Sequence, residues 1–474
     1  MASYDPQFTP EQVFMLQQEK ALLLRSETVA MRINKLKSLK AWIREHSNDI
    51  RKAVFADLAK PYLETDITEI SVILGEISHA IRHLPKWMKA KKVSNPMHFA
   101  GADCRIQYEP RGCALIISPW NYPFNLSIGP LVSAISAGCT VVLKPSELSP
   151  NTSALIKRMV SDLFAPNEVA VFQGEVEVAK ALLALPFNHV FFTGSPQVGK
   201  EVMKSAAQHL CSVTLELGGK SPVVVDASCD LDDAALKIAW AKSINCGQTC
   251  IAPDYILVNG SVYQAFLEKL TAAFDQLLNP KGKGIAKSPD YARIINTTHW
   301  ARLKQLLDEA VAGGGQIIFG GELDVTEKFL APTVITGVDQ GMRIMQEEIF
   351  GPILPIISYN GLDEAIAYIN GNSKPLALYV FSKEKYVSDQ LSVQTSCGAL
   401  VENDCAVHFG HPNLPFGGVN VSGMGKAHGH FGFLAFSNEK AVFKQSTRFN
   451  PVKSLYPPYS IKKKKLISLF SKLS

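Results

Sequence analysis

Apolar and polar positions divide the chain into stretches of different period. From Pro10 to about Lys91, acids and bases interleave with apolar residues at helical spacing, as in Val54, Phe55, Leu58 and Leu63, which predicts a helical segment. No combination of residues in this stretch points to chemistry. Between Met97 and Tyr108 the pattern turns strand-like and Ala100-Gly101-Ala102-Asp103 supplies a turn, so a projecting hairpin is expected.

Short apolar runs then alternate with helical stretches: Ala114 to Ile117, Thr140 to Leu143, Val169 to Phe172, His189 to Phe192 and Val213 to Leu217. Continuous apolar strands separated by helices predict a parallel, doubly wound α/β unit. The alternation resumes after Ser221, with strands expected near Val223 to Val225, Ile256 to Val258, Ile317 to Phe319, Ile353 to Ser358, Leu376 to Phe381 and Ala399 to Glu402. That is a second α/β unit.

Composition narrows the class of protein. Apolar residues are 47% and charged residues 19% of the 474 positions, which is ordinary globular usage. Of the 48 Lys and Arg, five lysines fall in Ile461 to Ser474, where there is no acid, leaving 43 bases against 43 acids in the rest. A body without net charge lacks the footprint of a nucleic-acid binder. Nine cysteines, an odd number scattered from Cys104 to Cys405, do not form a disulfide framework and suit a reducing compartment. The N-terminus has an acid and a proline where a signal peptide needs a basic and then an apolar region, and no apolar run is long enough to span a bilayer. A cytoplasmic protein is expected.

Several motifs carry candidate chemistry. The first strand of the first unit runs into Ser118-Pro-Trp-Asn-Tyr-Pro-Phe124, without the glycines of an ordinary dinucleotide turn. Glycines come later, in Thr193-Gly194-Ser-Pro-Gln-Val-Gly199-Lys200-Glu201, where a turn entering a helix can present N–H groups to phosphate. Gly194 to Lys200 fits most of a nucleotide triphosphatase P-loop, but Glu201 stands where that loop needs a magnesium-binding hydroxyl, which argues against it. Lys144-Pro-Ser-Glu147 ends another strand and pairs a lysine with a carboxylate suited to ribose hydroxyls.

Glu216-Leu-Gly-Gly-Lys220 closes a further strand, and Asn245-Cys246-Gly-Gln-Thr-Cys250 follows a helix expected over Leu231 to Ser243. A cysteine displayed on a glycine turn, with a carboxylate from another element, suits a thiolate nucleophile and a separate base. The C-x3-C spacing, with no second cysteine pair downstream, argues against zinc. Cys246 is open to two readings, a buried inert thiol or the partner of Cys250 in a reversible protective disulfide. Histidines 408, 411, 428 and 430 have no Cys or acid at ligand spacing and read as surface or satisfied polar loop residues, so no metal site is expected.

Taken together and in order, Pro119-Trp-Asn-Tyr-Pro, Lys144-Pro-Ser-Glu, Phe192-Thr-Gly-Ser, Glu216-Leu-Gly-Gly-Lys, Gly247-Gln-Thr-Cys250, Glu348-Ile-Phe-Gly-Pro and Pro415-Phe-Gly-Gly resemble the aldehyde dehydrogenase superfamily over about residues 10 to 450. Ile251-Ala-Pro-Asp-Tyr255, Val401-Glu-Asn-Asp404 and Tyr456-Pro-Pro458 resemble its class 3 branch, which includes the fatty aldehyde dehydrogenases. Cys246 and Ser195-Pro196 depart from the usual pattern.

The resemblance implies that Cys250 attacks an aldehyde, that Asn121 and the Cys250 N–H hold the oxyanion, that hydride passes to a nicotinamide, and that Glu216 activates water against the thioester. It places Lys144 and Glu147 at the adenine ribose, Gly194, Ser195 and Gly199 at the pyrophosphate, and Trp120, Glu348 and Phe350 toward the nicotinamide end, with NAD and NADP both open. It divides the chain into an NAD(P)-binding domain (1–84 and 109–216), a catalytic domain (217–425), a small β bridging domain (85–108 and 426–450) and a basic tail (451–474). In the family such bridging strands, here the hairpin and Phe431 to Phe443, join two subunits, so a homodimer is expected.

Two rival functions are a coenzyme A-acylating dehydrogenase, against which Glu216 argues, and a retired scaffold, against which the retained Asn121, Glu216 and Cys250 argue. Tyr122, Trp120 and Phe409 are expected to line an apolar tunnel for medium or long aliphatic or aromatic aldehydes. In the tail, Lys462 to Ser474, Leu466, Leu469, Phe470 and Leu473 would share one helical face beside four adjacent lysines, suiting either peripheral contact with anionic lipid or a solvated tail.

Overall fold

The computed structural model describes residues 8–465 and 468. Two mainly parallel sheets carry the two α/β units, and every strand expected in those units lies in one of them. In the first, six strands run in the spatial order Gly423–Met424, Ser212–Glu216, His189–Thr193, Cys113–Ile117, Thr140–Lys144 and Val169–Val171. Only Gly423–Met424 is antiparallel, paired to Leu215 and Glu216, so a piece of the segment 217–425 returns to the first sheet. Cys113–Ile117, Thr140–Lys144 and His189–Thr193 are buried at every position, because helices cover both faces.

The second sheet has seven strands in the order Gln316–Phe319, Thr333–Thr336, Ile353–Tyr359, Tyr255–Asn259, Pro222–Val225, Ala377–Phe381 and Ala399–Glu402. Thr333–Thr336 was not among the strands expected from sequence. Its four residues directly follow Ala331-Pro332 and are too short to show a period, and tertiary pairing with Ile353 to Pro355 makes them a strand.

The third sheet is small and antiparallel: Lys91–Lys92, Asp103–Pro110 and Ser437–Lys444. The hairpin expected over Met97 to Tyr108 is therefore shifted. Met97–Phe99 forms a single 3-10 turn, and the long partner of Asp103–Pro110 is Ser437–Lys444, in register from Ser437 opposite Pro110 to Lys444 opposite Asp103. The segment from Phe431 is likewise not all strand, since Gly429–Ala435 is a helix whose Phe433 packs into the core.

The N-terminal helices wrap the first sheet. Tyr62–Thr65, a π-helical turn Asp66–Ile70 and Ser71–Trp87 follow one another, and Ile73 and Ile77 bury against Ile128 and Leu131 of the helix Asn125–Ala137. A π turn shifts the facing of the side chains after it and recurs at functional sites. No helix among the described residues is long and apolar enough to cross a membrane. Residues 461–465 are helical, while Leu466, Leu469, Phe470 and Leu473 of the expected stripe lie outside the described residues.

Candidate active site

Residues singled out by motif gather at the carboxyl ends of the first sheet's strands, where α/β folds place ligands. Trp120 and Asn121 follow Cys113–Ile117, Lys144 ends its strand, Gly194 and Ser195 follow Thr193, and Glu216 ends the next strand. The second unit brings Cys250, Glu348 and Phe350 to the same place.

The cysteine segment begins where the helix Leu231–Ser243 stops. Asn245, Cys246 and Gly247 then take φ of 51°, 55° and 69°, three successive left-handed residues, two of which carry a Cβ. Such geometry costs roughly 1–2 kcal/mol at each non-glycine and persists only where the surroundings impose it. Here they do. The Asn245 N–H donates to Glu64 Oε1 at 2.7 Å, and its amide donates to the Asn121 carbonyl at 2.8 Å and the Gln248 carbonyl at 3.1 Å. The buried Gln248 amide donates to the Asn245 and Arg293 carbonyls at 2.9 and 3.0 Å, while its oxygen accepts from Ile295 N at 3.0 Å. At Gly247 a Cβ would stand 2.4 Å from the Gly351 carbonyl, so the close approach requires glycine.

This turn separates the two cysteines. Cys246 is fully buried with Sγ 3.1 Å from the Tyr291 hydroxyl, and burial pushes its pKa up to about 12. It is an interior thiol already engaged in a hydrogen bond, which favours the inert reading over the disulfide. Cys250 instead opens on a cavity of about 250 Å³ walled by Ile67, Val72, Tyr122, Leu126, Ile244, Val407 and Phe409. Tyr122 and Phe409 are thus where the tunnel reading put them. Trp120 is not part of that wall: its ring packs 5.0 Å from His299 and edge-on to Phe350 at 5.4 Å.

Burial, then the neighbouring Glu348 and Glu216 carboxyls, push the Cys250 thiol pKa far up, against the pull of the Cys250 and Ile251 N–H groups. Burial is the largest cause of that rise, and the groups flanking the thiol are two acids rather than a base or cation.

Glu216 is 4% exposed. Thr193 Oγ1 donates to its Oε2 at 3.4 Å, and Oε1 has no hydrogen-bond partner among the described residues. Burial raises its pKa to about 8, with Thr193 and Lys426 pulling it down. Asn121, 2% exposed, donates one amide hydrogen to the Gln248 carbonyl at 3.0 Å.

Beneath Asn121 lies a buried ion pair, Lys60 Nζ to Glu69 Oε1 at 2.7 Å, with both side chains at 0% exposure. Lys60 also donates to the Asn121 carbonyl at 3.3 Å, and Glu69 Oε2 accepts the N–H groups of Phe124 and Asn125 at 3.1 and 2.9 Å. The helical stretch from Pro10 to Lys91, read as free of chemistry, thus supplies Lys60, Glu64 and Glu69 to the site's frame. Nothing in sequence marks them: Lys60 and Glu69 are nine positions apart, but the site segments they and Glu64 hold lie 55 to 181 positions away. Only Asn245 and Gly247 carried a legible signal, as residue types that tolerate left-handed backbone.

The cofactor residues divide into two groups. Lys144 Nζ and Glu147 Oε2 pair at 2.6 Å beside the strand end. Ser195 caps the helix Pro196–Gln208, accepting from Val198 N at 3.4 Å, with Pro196 at its first turn. A helix start following a strand end, together with a carboxylate–lysine pair for hydroxyls, is an arrangement that fits a dinucleotide. Gly199 lies inside that helix, where a Cβ would meet Leu217 at 2.7 Å, so its visible work is helix–strand packing. Glu348 lies against Gly218, with its pKa raised to about 8 by burial.

His408 departs from the satisfied polar residue expected: both ring nitrogens are buried without a partner among the described residues, and burial lowers its pKa to about 4. It packs between Tyr379 and Phe416, so aromatic neighbours took the place of polar ones.

A displayed cysteine, a buried carboxylate and a dinucleotide-type strand edge define the class of thiol-dependent oxidoreductases. Comparison with known proteins makes the assignment specific. Residues 17–442 match the aldehyde dehydrogenase family. Aldehyde dehydrogenase family 3 member A2 of Mus musculus is 43% identical over 437 residues, 92% of this chain and 89% of that one. A solved structure described as the substrate-bound state of Staphylococcus aureus AldH superposes with a TM-score of 0.93 at 41% identity, covering 98% of this chain and 100% of that one. Betaine aldehyde dehydrogenase of Staphylococcus aureus, solved in complex with NAD+, gives a TM-score of 0.83 at 26% identity, over 92% of this chain and 88% of that one. The chain belongs to the aldehyde dehydrogenase family and is an oxidoreductase acting on aldehydes.

Proposed function

We propose that this enzyme oxidises apolar aldehydes, medium or long aliphatic or aromatic, to carboxylic acids with NAD or NADP, using Cys250 as nucleophile. The observation that carries the reading is the placement of the Cys250 thiol on the wall of an apolar cavity, with the buried Glu216 carboxyl close enough to raise its pKa.

Each residue then has a task. The thiol gives up its proton to water and its sulfur adds to the carbonyl carbon as the oxyanion forms. An amide has two donors, and Asn121 spends one on Gln248, leaving the other for the oxyanion beside the Cys250 N–H. One such donor contributes about 2.7–4 kcal/mol to rate. Lys144, Glu147 and Ser195 would hold the ribose and pyrophosphate of the cofactor and Glu348 and Phe350 its nicotinamide end, which would supply the hydride acceptor. Glu216, as carboxylate, takes a proton from water as it attacks the Cys250 thioester, and sulfur leaves.

NAD and NADP both suit the pair at the ribose, where Lys144 tolerates a phosphate and Glu147 disfavours it. A homodimer through the small sheet is supported by Ser437–Lys444, which lies at its edge with most positions exposed. The lysines 462–465 support contact with anionic membrane surfaces.

A panel of aldehydes of increasing chain length, run with NAD and NADP and with and without coenzyme A, tests the reading. Free acid independent of coenzyme A, and kcat/KM rising with chain length, is the expected result. Acyl-CoA formation with no acid in its absence overturns hydrolysis by Glu216.

A further inference from the structure

Asn245 carries two features that each cost stability. Its φ of 51° is left-handed, and its side-chain Oδ1 is buried with no hydrogen-bond partner among the described residues. A fold keeps such a residue where a site needs what it supplies.

What it supplies is the other half of the same amide. The two Nδ2 hydrogens go to two carbonyls, Asn121 at 2.8 Å and Gln248 at 3.1 Å. The Gln248 oxygen also accepts from Asn121 Nδ2 at 3.0 Å, which uses both of its lone pairs. Asn121 is thus held at its backbone by Asn245 and at its side chain by Gln248, and because Asn245 also bonds Gln248 the contacts close a ring. Turned over, the Asn245 amide would set Oδ1 against two carbonyl oxygens, so its partners fix its orientation and leave Oδ1 as the orphan.

The ring ties the oxyanion donor to the nucleophile's own segment. Gln248 N and Nε2 both donate to the Asn245 carbonyl, at 3.0 and 2.9 Å, which fixes the turn two residues before Cys250. The hydroxyls of Tyr122 and Thr249, the next residues after Asn121 and Gln248, meet at 2.7 Å and stitch the same two segments again. Lys60 also reaches the Asn121 carbonyl, at 3.3 Å, but its other partner is Glu69, so it anchors Asn121 to the frame and not to the cysteine segment. A planar amide with one hydrogen committed has the direction of the other set only if its own backbone stays in place. The Asn121–Gln248 bond fixes the tip of that side chain, and Asn245 fixes its root.

We propose that Asn245 is a positioning residue for the reaction: its amide holds Asn121 in register with the Cys250 segment, so that the second Asn121 amide hydrogen and the Cys250 N–H converge on the oxyanion. The proposal rests on the reading of Cys250 as nucleophile and Asn121 as oxyanion donor. Asn245 itself acts only through Asn121. Displacing a reacting geometry by about 1 Å costs up to about 10²-fold in rate, so a residue remote from substrate can matter this way.

Two variants of the full chain separate the amide from the backbone. Asn245→Gly takes the left-handed φ without strain and removes the amide, while Asn245→Asp keeps the shape and exchanges the NH2 donor for an acceptor. Single-turnover formation of reduced cofactor, with enzyme in excess over octanal, reads acylation. Alkylation of Cys250 by iodoacetamide, followed by peptide mass, and the denaturant unfolding midpoint read thiol access and fold, and neither uses an oxyanion.

Both variants are expected to acylate about 10- to 10²-fold more slowly, with alkylation and unfolding near wild type. In an Asn121→Ala background, Asn245→Gly is expected to add less than about twofold, since nothing is left for it to position. Wild-type acylation in either variant overturns the proposal, as does a full additive loss in the double variant. A fall in alkylation or in the unfolding midpoint that tracks the loss of rate makes the role structural and overturns it as well. If Asn121→Ala alone acylates normally, the oxyanion reading itself falls, whereas a slow Asn121→Ala beside an unaffected Asn245→Gly removes the role of Asn245 alone.

Discussion

Two buried carboxylates, Glu69 and Glu216, sit in neighbouring parts of the site and are treated in opposite ways. Glu69 has an ammonium partner on one oxygen and two backbone N–H donors on the other, at full burial. Glu216 has one long bond from Thr193 and an oxygen with no partner among the described residues. A saturated carboxylate fixes backbone and does nothing else. An undersupplied one has its pKa raised into the range where it gains and loses a proton near neutrality. The region under Asn121 is frame and the region around Glu216 is chemistry, and the difference is made by hydrogen-bond supply rather than by residue type.

The sharpest break between the regions comes from the reacting groups. Cys250→Ala should lower turnover by on the order of 10³-fold or more while cofactor binding, read by fluorescence titration, persists. Glu216→Gln should release one NADH per site in a burst and then turn over about 10²–10⁴-fold more slowly. A steady-state rate near wild type would move water activation to another group. In the parent enzyme, deacylation should rise with pH through about 8, because only the ionised carboxyl accepts a proton and each unit below that value cuts its fraction about tenfold. Glu216→Gln should flatten that profile.

On the frame side, Lys60→Met leaves Glu69 buried and unpaired, and should cost about 3–5 kcal/mol of stability in denaturant unfolding. Adding Glu69→Gln should return part of the loss, since the uncompensated charge is gone. A double variant as unstable as the single one would show that packing, not charge, holds Asn121 in place.

The smallest effect is expected at Cys246. Cys246→Ala should cost about 1 kcal/mol and leave turnover within about twofold of wild type, as for a packed interior thiol. Mild peroxide should yield no Cys246–Cys250 linked peptide by mass spectrometry. A linked peptide would restore the protective disulfide as a role for this residue.

Much of the architecture was legible in the chain itself. The apolar runs at the centre of both sheets are buried on two faces, so they stand out against helices without help from long-range context. Cys250, Glu216, Asn121, Lys144 and Glu147 were legible because loops at strand ends keep their chemistry in short motifs. The strand Thr333–Thr336 and the true partner of Asp103–Pro110 were not, because pairing there depends on segments distant in sequence. The same holds for Lys60, Glu64 and Glu69, whose side chains look like the solvated face of a helix until the fold brings their partners to them. Residue order and type by themselves determined which elements form and which groups can react. Only the tertiary structure decided which acids are saturated and which left short, and which of two nearby cysteines faces a cavity. Those outcomes are set by burial and by the donors that distant segments bring within about 3 Å.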